Sequence, residues 1–224
     1  MFRIDHHIHT SRYSPDSDID PFELLDRARA AGLQGIAITE HDCLWPEDEL
    51  DELRARAEGL VVMGGVEISA YEGHFLVYGL TRLDEVGPGV SLARLLQVVG
   101  REGAAIVAAH PYRWEQDFDA IAEAHGRGLH GIELVSNNVT HLTRMRAELL
   151  LDREPFATTG SSDAHQPAVV GCYFSEFPTK ILNLKQFRGA LMRGEGRPGH
   201  RVGVPLTSGP VPSAVSRKPA AIGG

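Results

Sequence analysis

The first residues able to do chemistry come near the start of the chain, in Asp5-His6-His7-Ile8-His9-Thr10. Phe2, Ile4 and Ile8 alternate with polar residues, a pattern of period two that predicts a strand. Residues two apart on a strand share a face. Asp5, His7 and His9 are therefore expected on one face, and His6 on the other with Ile4 and Ile8. Two imidazoles side by side are poor packing groups and good metal ligands. The pairing of an apolar run with ligand-type residues at its end then recurs. Residues 35–39 run into Glu40-His41-Asp42, residues 61–66 into Glu67, residues 104–109 into His110-Pro111, and residues 156–162 into Asp163-Ala164-His165. One such coincidence is weak; a series of them points to a shared metal centre.

The intervening segments show what must position these ends. Asp20 is placed as an N-cap, Pro21 at the first helical position and Glu23 as the partner in a capping box. Phe22, Leu25, Ala28 and Arg29 follow at helical spacing, Gly32 stops the helix, and the next strand begins three residues later. Strand, helix, strand with short joints is a parallel crossover unit. Residues 45–59 read as an acidic surface helix with Leu50 and Leu53 inward. Residues 74–80 read as a strand that is either the hairpin partner of the Glu67 strand or its barrel neighbour. Ser91 caps a helix carrying Leu92, Leu95, Leu96 and Val99. Further helices are expected over 117–127 and 140–151, strands at 131–135 and from Cys172, and a last helix behind an Asn183/Gln186 capping box. Repeated strand–helix units predict an α/β fold, as a barrel or an open sheet, with the site at the carboxyl ends of the strands. From Pro205 the chain is Pro, Gly, Ser and Ala without periodicity, so the expected organisation is one domain over 1–204 and a loose tail over 205–224.

Composition narrows the function classes. The chain has 224 residues, 42% of them hydrophobic and 23% charged, ordinary values for a soluble globular domain. A net charge of −8 argues against an extended nucleic-acid-binding surface. It is compatible with a phosphate-bearing substrate, because bound cations dominate the local field of such a site. Cys43 and Cys172 form no disulfide framework or zinc knuckle and are expected to be reduced thiols of a cytoplasmic protein. No apolar run reaches the length of a membrane span.

The motifs taken together resemble the PHP family, named for polymerase and histidinol phosphatase. The resemblance spans roughly residues 1–195. It rests on Asp5-His6-His7-Ile8-His9-Thr10, Thr39-Glu40-His41-Asp42, Gly65-Val66-Glu67-Ile68-Ser69, His74 ahead of Leu76-Val77-Tyr78-Gly79, Ala109-His110-Pro111 and Gly160-Ser161-Ser162-Asp163-Ala164-His165. It implies a single-domain, distorted seven-stranded β/α barrel holding two or three divalent ions, zinc, manganese or iron. It implies hydrolysis of a phosphate ester, a small phosphometabolite or a nucleotide, by water activated at that centre. Carried over by position, His7, His9, Glu67 and Asp163 hold the first metal. Glu67 bridges to a second, held also by His110 and His74, and His41 and His165 help to hold a third. Where the family often has Ser-Asp-Gly, this chain has Ser14-Pro15-Asp16, so Asp16 serves only through a shifted loop. Glu67, Asp163 and His165 form the expected catalytic set.

The ligand types make sense on their own terms. A carboxylate can bridge two cations, which an imidazole cannot, and two cations about 4 Å apart can clamp a phosphate. Mixed imidazole and carboxylate ligands suit transition metals better than calcium. Arg113, three residues after His110, is either a substrate-phosphate ligand or a surface arginine. Asp42 is either a support for His41 or a helix cap, and Asn137-Asn138 either face the site or form a turn. His6 is expected to pack, and His125, His130, His141 and His200 to lie on the surface. Two rival functions share parts of the pattern. Amidohydrolase-type enzymes also open a barrel with His-x-His, but many bridge their metals with a modified lysine, and no lysine precedes Lys180. A non-catalytic metal-binding module would not need the full ligand set.

Overall fold

The expected crossover is formed by β1 (Phe2–Asp5), α1 (Pro21–Ala30) and β2 (Gly35–Ile38), and the pattern continues through α2 (Glu47–Ala55) and β3 (Val61–Gly64). The computed structural model describes residues 1–201. After β3 come β4 (Val66–Ala70) and β5 (Gly73–Tyr78), then α3 (Leu92–Glu102), β6 (Ala105–Ala108), α4 (Phe118–His125), β7 (Ile132–Val135) and α5 (His141–Leu151). β8 (Thr158–Gly160), β9 (Tyr173–Phe177), α6 (Leu184–Met192) and β10 (Arg197–His200) complete the described chain. The expected tail over 205–224 lies outside the described residues.

The strands form two five-stranded mixed sheets, β10-β9-β1-β2-β3 and β4-β5-β6-β7-β8. β1, β2 and β3 run parallel, as do β6, β7 and β8. β5 is antiparallel to both β4 and β6, so residues 74–78 are the hairpin partner of the Glu67 strand. The expected seven-stranded barrel is therefore replaced by ten strands in two sheets. The sheets meet through the isolated bridges Ile8↔Ala164 and His41↔Glu67, not through a continuous ladder among the described residues.

Local chemistry explains both seams. At Gly65 the chain passes from one sheet to the other, and a Cβ there would lie 2.7 Å from the Tyr78 ring and 3.0 Å from Thr39. At the other seam β8 is only three residues long, because the chain turns at once into the segment that carries Asp163. β10 had no signal in the sequence. Arg197-Pro198-Gly199-His200 contains two turn formers, which a sheet tolerates at an edge position.

Alternation along the strands divides the core. Phe75 and Val77 pack outward under α3 and α4 with Ile106 and Phe118. Leu76 and Tyr78 point inward with Ile4, Ala37, Met63, Ala105 and Val107, where Phe187 and Leu191 of α6 join them. This inner cluster fills the space between the sheets. The helix caps differ in detail from expectation. Asp20 accepts from the Phe22 and Glu23 amides, but the Glu23 carboxylate pairs with Arg27 at 2.8 Å and does not return to the cap. Asn183 accepts from the Gln186 amide, while Gln186 takes the amide of Leu182, one residue too early for a reciprocal box. Phe22 faces outward and Leu24 takes the buried position. No helix among the described residues is long and apolar enough to cross a membrane.

Candidate metal centre

β1 ends at Asp5, and the histidines follow it past the end of the ladder. Asp5 does not join His7 and His9 as a ligand. It is buried and accepts the amides of Ser162 at 2.8 Å and Gly171 at 2.9 Å, and burial raises its carboxyl to about 7. His6 turns into the core, where Nδ1 lies 2.7 Å from the Tyr78 hydroxyl and Nε2 3.1 Å from Ser175 Oγ. Burial there pushes its pKa down to about 4.

His7 and His9 face the opposite way, toward Glu67 at the start of β4. The three are fully buried. Glu67 Oε2 lies 3.3 Å from His7 Nε2, 3.2 Å from His9 Nε2 and 3.0 Å from His41 Nδ1. Its other oxygen, Oε1, lies 2.8 Å from His74 Nδ1 and 3.2 Å from His110 Nε2. Asp163 Oδ1 approaches His7 Nε2 at 3.2 Å and His9 Nε2 at 3.4 Å. The structure thus brings His7, His9, His41, Glu67, His74, His110, Asp163 and His165 into one cluster. Four overlapping sets of three have ligand atoms within 4.8 Å of one another: His7/His9/Asp163, His7/Glu67/His110, His41/Glu67/His74 and His9/His41/His165. Asp16, at the edge, also reaches the cluster, with Oδ2 3.3 Å from both His41 Nε2 and His165 Nε2.

The electrostatics follow from this packing. Burial alone would raise the Glu67 carboxyl, but His7, His110 and His41 outweigh it and hold the group well below the usual carboxylate range. Asp163 is depressed in the same way, against its burial, by His7, His9 and His110. Burial would lower His7, and Asp163, Glu67 and Glu133 instead hold it well above its ordinary value. The carboxylates therefore demand positive charge from this space, as protons on the imidazoles or as cations.

Three atoms discriminate between those two. His7 Nε2, His9 Nε2 and Glu67 Oε2 are buried without a hydrogen-bond partner, although each nitrogen lies only 3.2–3.3 Å from the carboxylate oxygen. Close approach without hydrogen-bond geometry leaves each of them costing about 1–3 kcal/mol. The tautomers are fixed from behind. His7 Nδ1 donates to Glu133 Oε1 at 3.1 Å, and His9 Nδ1 donates to Ser14 Oγ at 3.3 Å, so both Nε2 lone pairs aim into the cluster. Ser14 in turn donates to Glu40 at 2.5 Å. Convergent lone pairs held by outer carboxylates fit a transition-metal ion.

Glu133 was missed in the sequence. It is buried in β7, accepts from His7, from the His110 amide at 2.9 Å and from Ser161 Oγ at 2.5 Å, and ties three strand ends together. Its signal was an acid inside the apolar run 131–135. Asp42 neither supports His41 nor caps α2; it accepts the Ser69 amide at 2.9 Å, pinning its loop to β4. Asn138 Nδ2 donates to Asp163 Oδ2, and Asn137 Nδ2 donates to the Ser162 carbonyl at 2.6 Å. Arg113 is part-buried at the mouth, with a guanidinium nitrogen 3.9 Å from Asp163 Oδ2. His141 and His200 are exposed, whereas His130 is half-buried and accepts the Ile106 amide at 3.1 Å. His110 and Asp163 hold positive φ values of 27° and 52°, a conformation that costs energy and that the surrounding cluster must hold in place.

An uncharacterized protein of Methanocaldococcus jannaschii is 30% identical over 120 residues, 49% of this chain and 68% of that protein. Among solved structures, PsfC of Pseudomonas syringae superposes with a TM-score of 0.64 at 22% identity, over 87% of this chain and 95% of PsfC. An amidohydrolase of Chromobacterium violaceum with bound sulfate gives 0.62 at 20% identity, over 84% and 96% of the two chains. A lesion-specific endonuclease of Pyrococcus furiosus gives 0.65 at 19%, over 89% of this chain and 57% of the endonuclease. These likenesses show a shared fold. The PHP domain family itself matches residues 5–154, which hold every candidate ligand except Asp163 and His165, and a PHP-associated region matches residues 141–195; the chain belongs to the PHP domain family.

Proposed function

We propose that this protein is a metal-dependent hydrolase that cleaves the phosphate ester of a small molecule, a phosphometabolite or a nucleotide. The observation that carries this reading is the convergence of His7 Nε2, His9 Nε2 and Glu67 Oε2, all buried and all without a hydrogen-bond partner. His7, His9 and Asp163 would hold one divalent ion, zinc, manganese or iron. His74 and His110 would hold a second, with Glu67 spanning the two. His41, His165 and Asp16 would hold a third. When bound, such ions supply Lewis acidity to the phosphoryl oxygens and to the attacking water.

The chain's own residues do the rest. Glu67 divides its two oxygens between the two sides of the cluster. Asp163 is steadied by the Asn138 amide, and both its oxygens face imidazoles. His165, part-exposed beside Asp163, can hold a proton at Nε2 shared with Asp16. Arg113 has no carboxylate closer than 3.9 Å among the described residues, so its charge remains available for a phosphoryl oxygen at the mouth.

Relatives support the hydrolase class. One structure of this fold, from Bifidobacterium adolescentis, is of a candidate metal-dependent phosphoesterase, with a TM-score of 0.62 at 20% identity over 85% of this chain and 96% of that one. The sulfate in the Chromobacterium protein is a tetrahedral anion, as phosphate is. Lysine-bridged amide hydrolysis is disfavoured here, since the Glu67 carboxylate spans the two sides of the cluster and the earliest lysine is Lys180. The test is a phosphoester panel run with manganese and zinc in parallel, with elemental analysis of the purified protein. More than one equivalent of metal and a chelator-sensitive phosphoesterase activity are expected. Full activity after exhaustive metal removal would sink the proposal.

A further inference from the structure

Only three aromatic residues stand out as large exposed side chains among the described residues: Phe22, Tyr71 and Trp114. Phe22 is the least exposed of the three, at 37%, and carries the Arg56 guanidinium 4.3 Å from its ring centroid. The other two line one cavity of about 450 Å³, together with Gly73, His74, His110 and Arg113. Tyr71 is 85% exposed and Trp114 65%. An exposed indole costs solubility and gains no core contact, so two such rings lining one cavity suggest a ring they are built to receive.

The cavity abuts the candidate metal centre. The Trp114 ring stands edge-on to His74, with centroids 5.0 Å apart, and to His110 at 5.7 Å. It lies one ring's breadth from two candidate ligands. Arg113 stacks on it, with its guanidinium carbon 4.0 Å from the centroid.

The wall is built at a cost. His110, Tyr112, Trp114 and Glu115 all have positive φ, at 27°, 67°, 53° and 59°. Such conformations are disfavoured for residues with a side chain and persist only where the surrounding structure holds them. Opposite them, Gly73 at φ 148° has no room for a side chain, because a Cβ would lie 1.8 Å from Gln116 Nε2. That nitrogen donates to the Glu72 carbonyl at 2.5 Å, and Gln116 Oε1 accepts the Tyr112 amide at 3.1 Å. The acids here are also committed. Glu72 accepts the Leu92 amide at 2.7 Å, and Asp117 caps α4 through the Ala120 amide at 3.2 Å. What the cavity offers a ligand is therefore two aromatic faces and one cation.

We infer that this cavity is a leaving-group subsite, and that the substrate is a phosphate ester of a planar aromatic group stacked against Trp114 and Tyr71. The inference rests on the phosphoesterase reading for the identity of the phosphate and adds the part of the substrate that reading leaves open. Because the polar side chains are committed to the backbone, recognition is by stacking and shape, with little discrimination among rings of similar size.

Two measurements on the metal-loaded protein test it. The first is binding of phenylphosphonate against methylphosphonate, which are not hydrolysed, followed by isothermal titration calorimetry. Phenylphosphonate should bind about tenfold more tightly, the equivalent of one stacked ring, and Trp114→Ala should remove that preference while Trp114→Phe keeps it. The second is the ratio of kcat/KM for phenyl phosphate over glycerol phosphate, which Trp114→Ala should lower about tenfold and Tyr71→Ala by less. If no phosphoester is hydrolysed, the phosphoesterase reading fails, and the phosphonate titration still decides the subsite. Equal binding of the two phosphonates, or a preference that survives Trp114→Ala, would overturn it.

Discussion

At the floor of the cluster, His7 and His9 are fully buried, and each commits its second ring nitrogen to a fixed acceptor, Glu133 or Ser14. At the rim, His41 and His165 keep 30% and 24% of their side chains exposed and share Asp16, whose carboxylate is 48% exposed. The residue types are the same, and the difference is in their support. A buried imidazole with a hydrogen-bonded back can present only one lone pair, so the floor is pre-organised for a cation. A rim imidazole in contact with a water-exposed carboxylate can be neutral, protonated or metal-bound at modest cost. The floor should therefore hold its ions tightly and the rim should exchange.

The harshest test of that contrast is Glu67→Gln. Glutamine keeps the shape, loses the charge and bridges cations poorly, so the protein should lose at least one metal equivalent, and turnover should fall on the order of 10³-fold or more. His7, His9 and Asp163 remain, so some metal should still be found. Unchanged stoichiometry with near-normal turnover in a folded variant would refute the bridging role.

Glu133→Gln should act next most strongly, without touching a ligand atom. His7 would lose the carboxylate that fixes its tautomer, and metal affinity should drop about 10–100-fold. At saturating metal the stoichiometry should be that of the unaltered protein, because no ligand has been removed. A competitive chelator titration reads the affinity, and a variant with unaltered affinity would show that the floor is not held from behind. Asp16→Asn should do less. It should cost only the rim ion, and activity about tenfold or less, with the floor ions retained on elemental analysis. Loss of all metal would erase the distinction between floor and rim.

The residues of the cluster were legible because of where they stand. Glu67, His110 and Asp163 each follow an apolar run, and a charged or imidazole group at a buried strand end needs a partner. Glu133 escaped because it sits inside its run, where a single acid among Ile132, Leu134 and Val135 looks like the outward half of an alternation. Only the neighbouring strands reveal that it points to His7. Asp5 misled for the related reason that alternation along β1 does not fix where the chain bends after it. The α/β class and most helices were readable from caps and spacing, whereas the division into two sheets was not, and the Tyr78 ring lying against Gly65 at the crossing is a contact with no trace in local sequence. β10 depends on an edge that tolerates Pro198.

The smallest expected effect is one of pH, and it separates rim from floor without a change in the ligands themselves. In protein stripped of metal, burial would lower His41, but Asp16 and Glu67 outweigh it and hold it up at about 10, against an ordinary 6.5. His165 is raised in the same direction, against burial, by Asp16 and Asp163. Asp16, in contact with both imidazoles, is pulled down from 3.8. A raised imidazole stabilises the folded state fully below 6.5, and that contribution is lost as pH climbs through about 10. A depressed carboxylate adds stability only above 3.8, so the rim contributes most between these two values. Metal-stripped protein should therefore lose stability from pH 6.5 to 10, and Asp16→Asn should flatten that loss by on the order of 1 kcal/mol, a small amount because water reaches Asp16. With metal bound, the imidazoles carry no extra proton, so the loss should shrink and occupancy of the rim should rise with pH. Urea titrations of the stripped protein at a series of pH values give the slope directly. An equal slope in the unaltered and Asp16→Asn proteins would show that Asp16 does not hold the rim imidazoles in their charged form, and that the two halves of the cluster titrate as one.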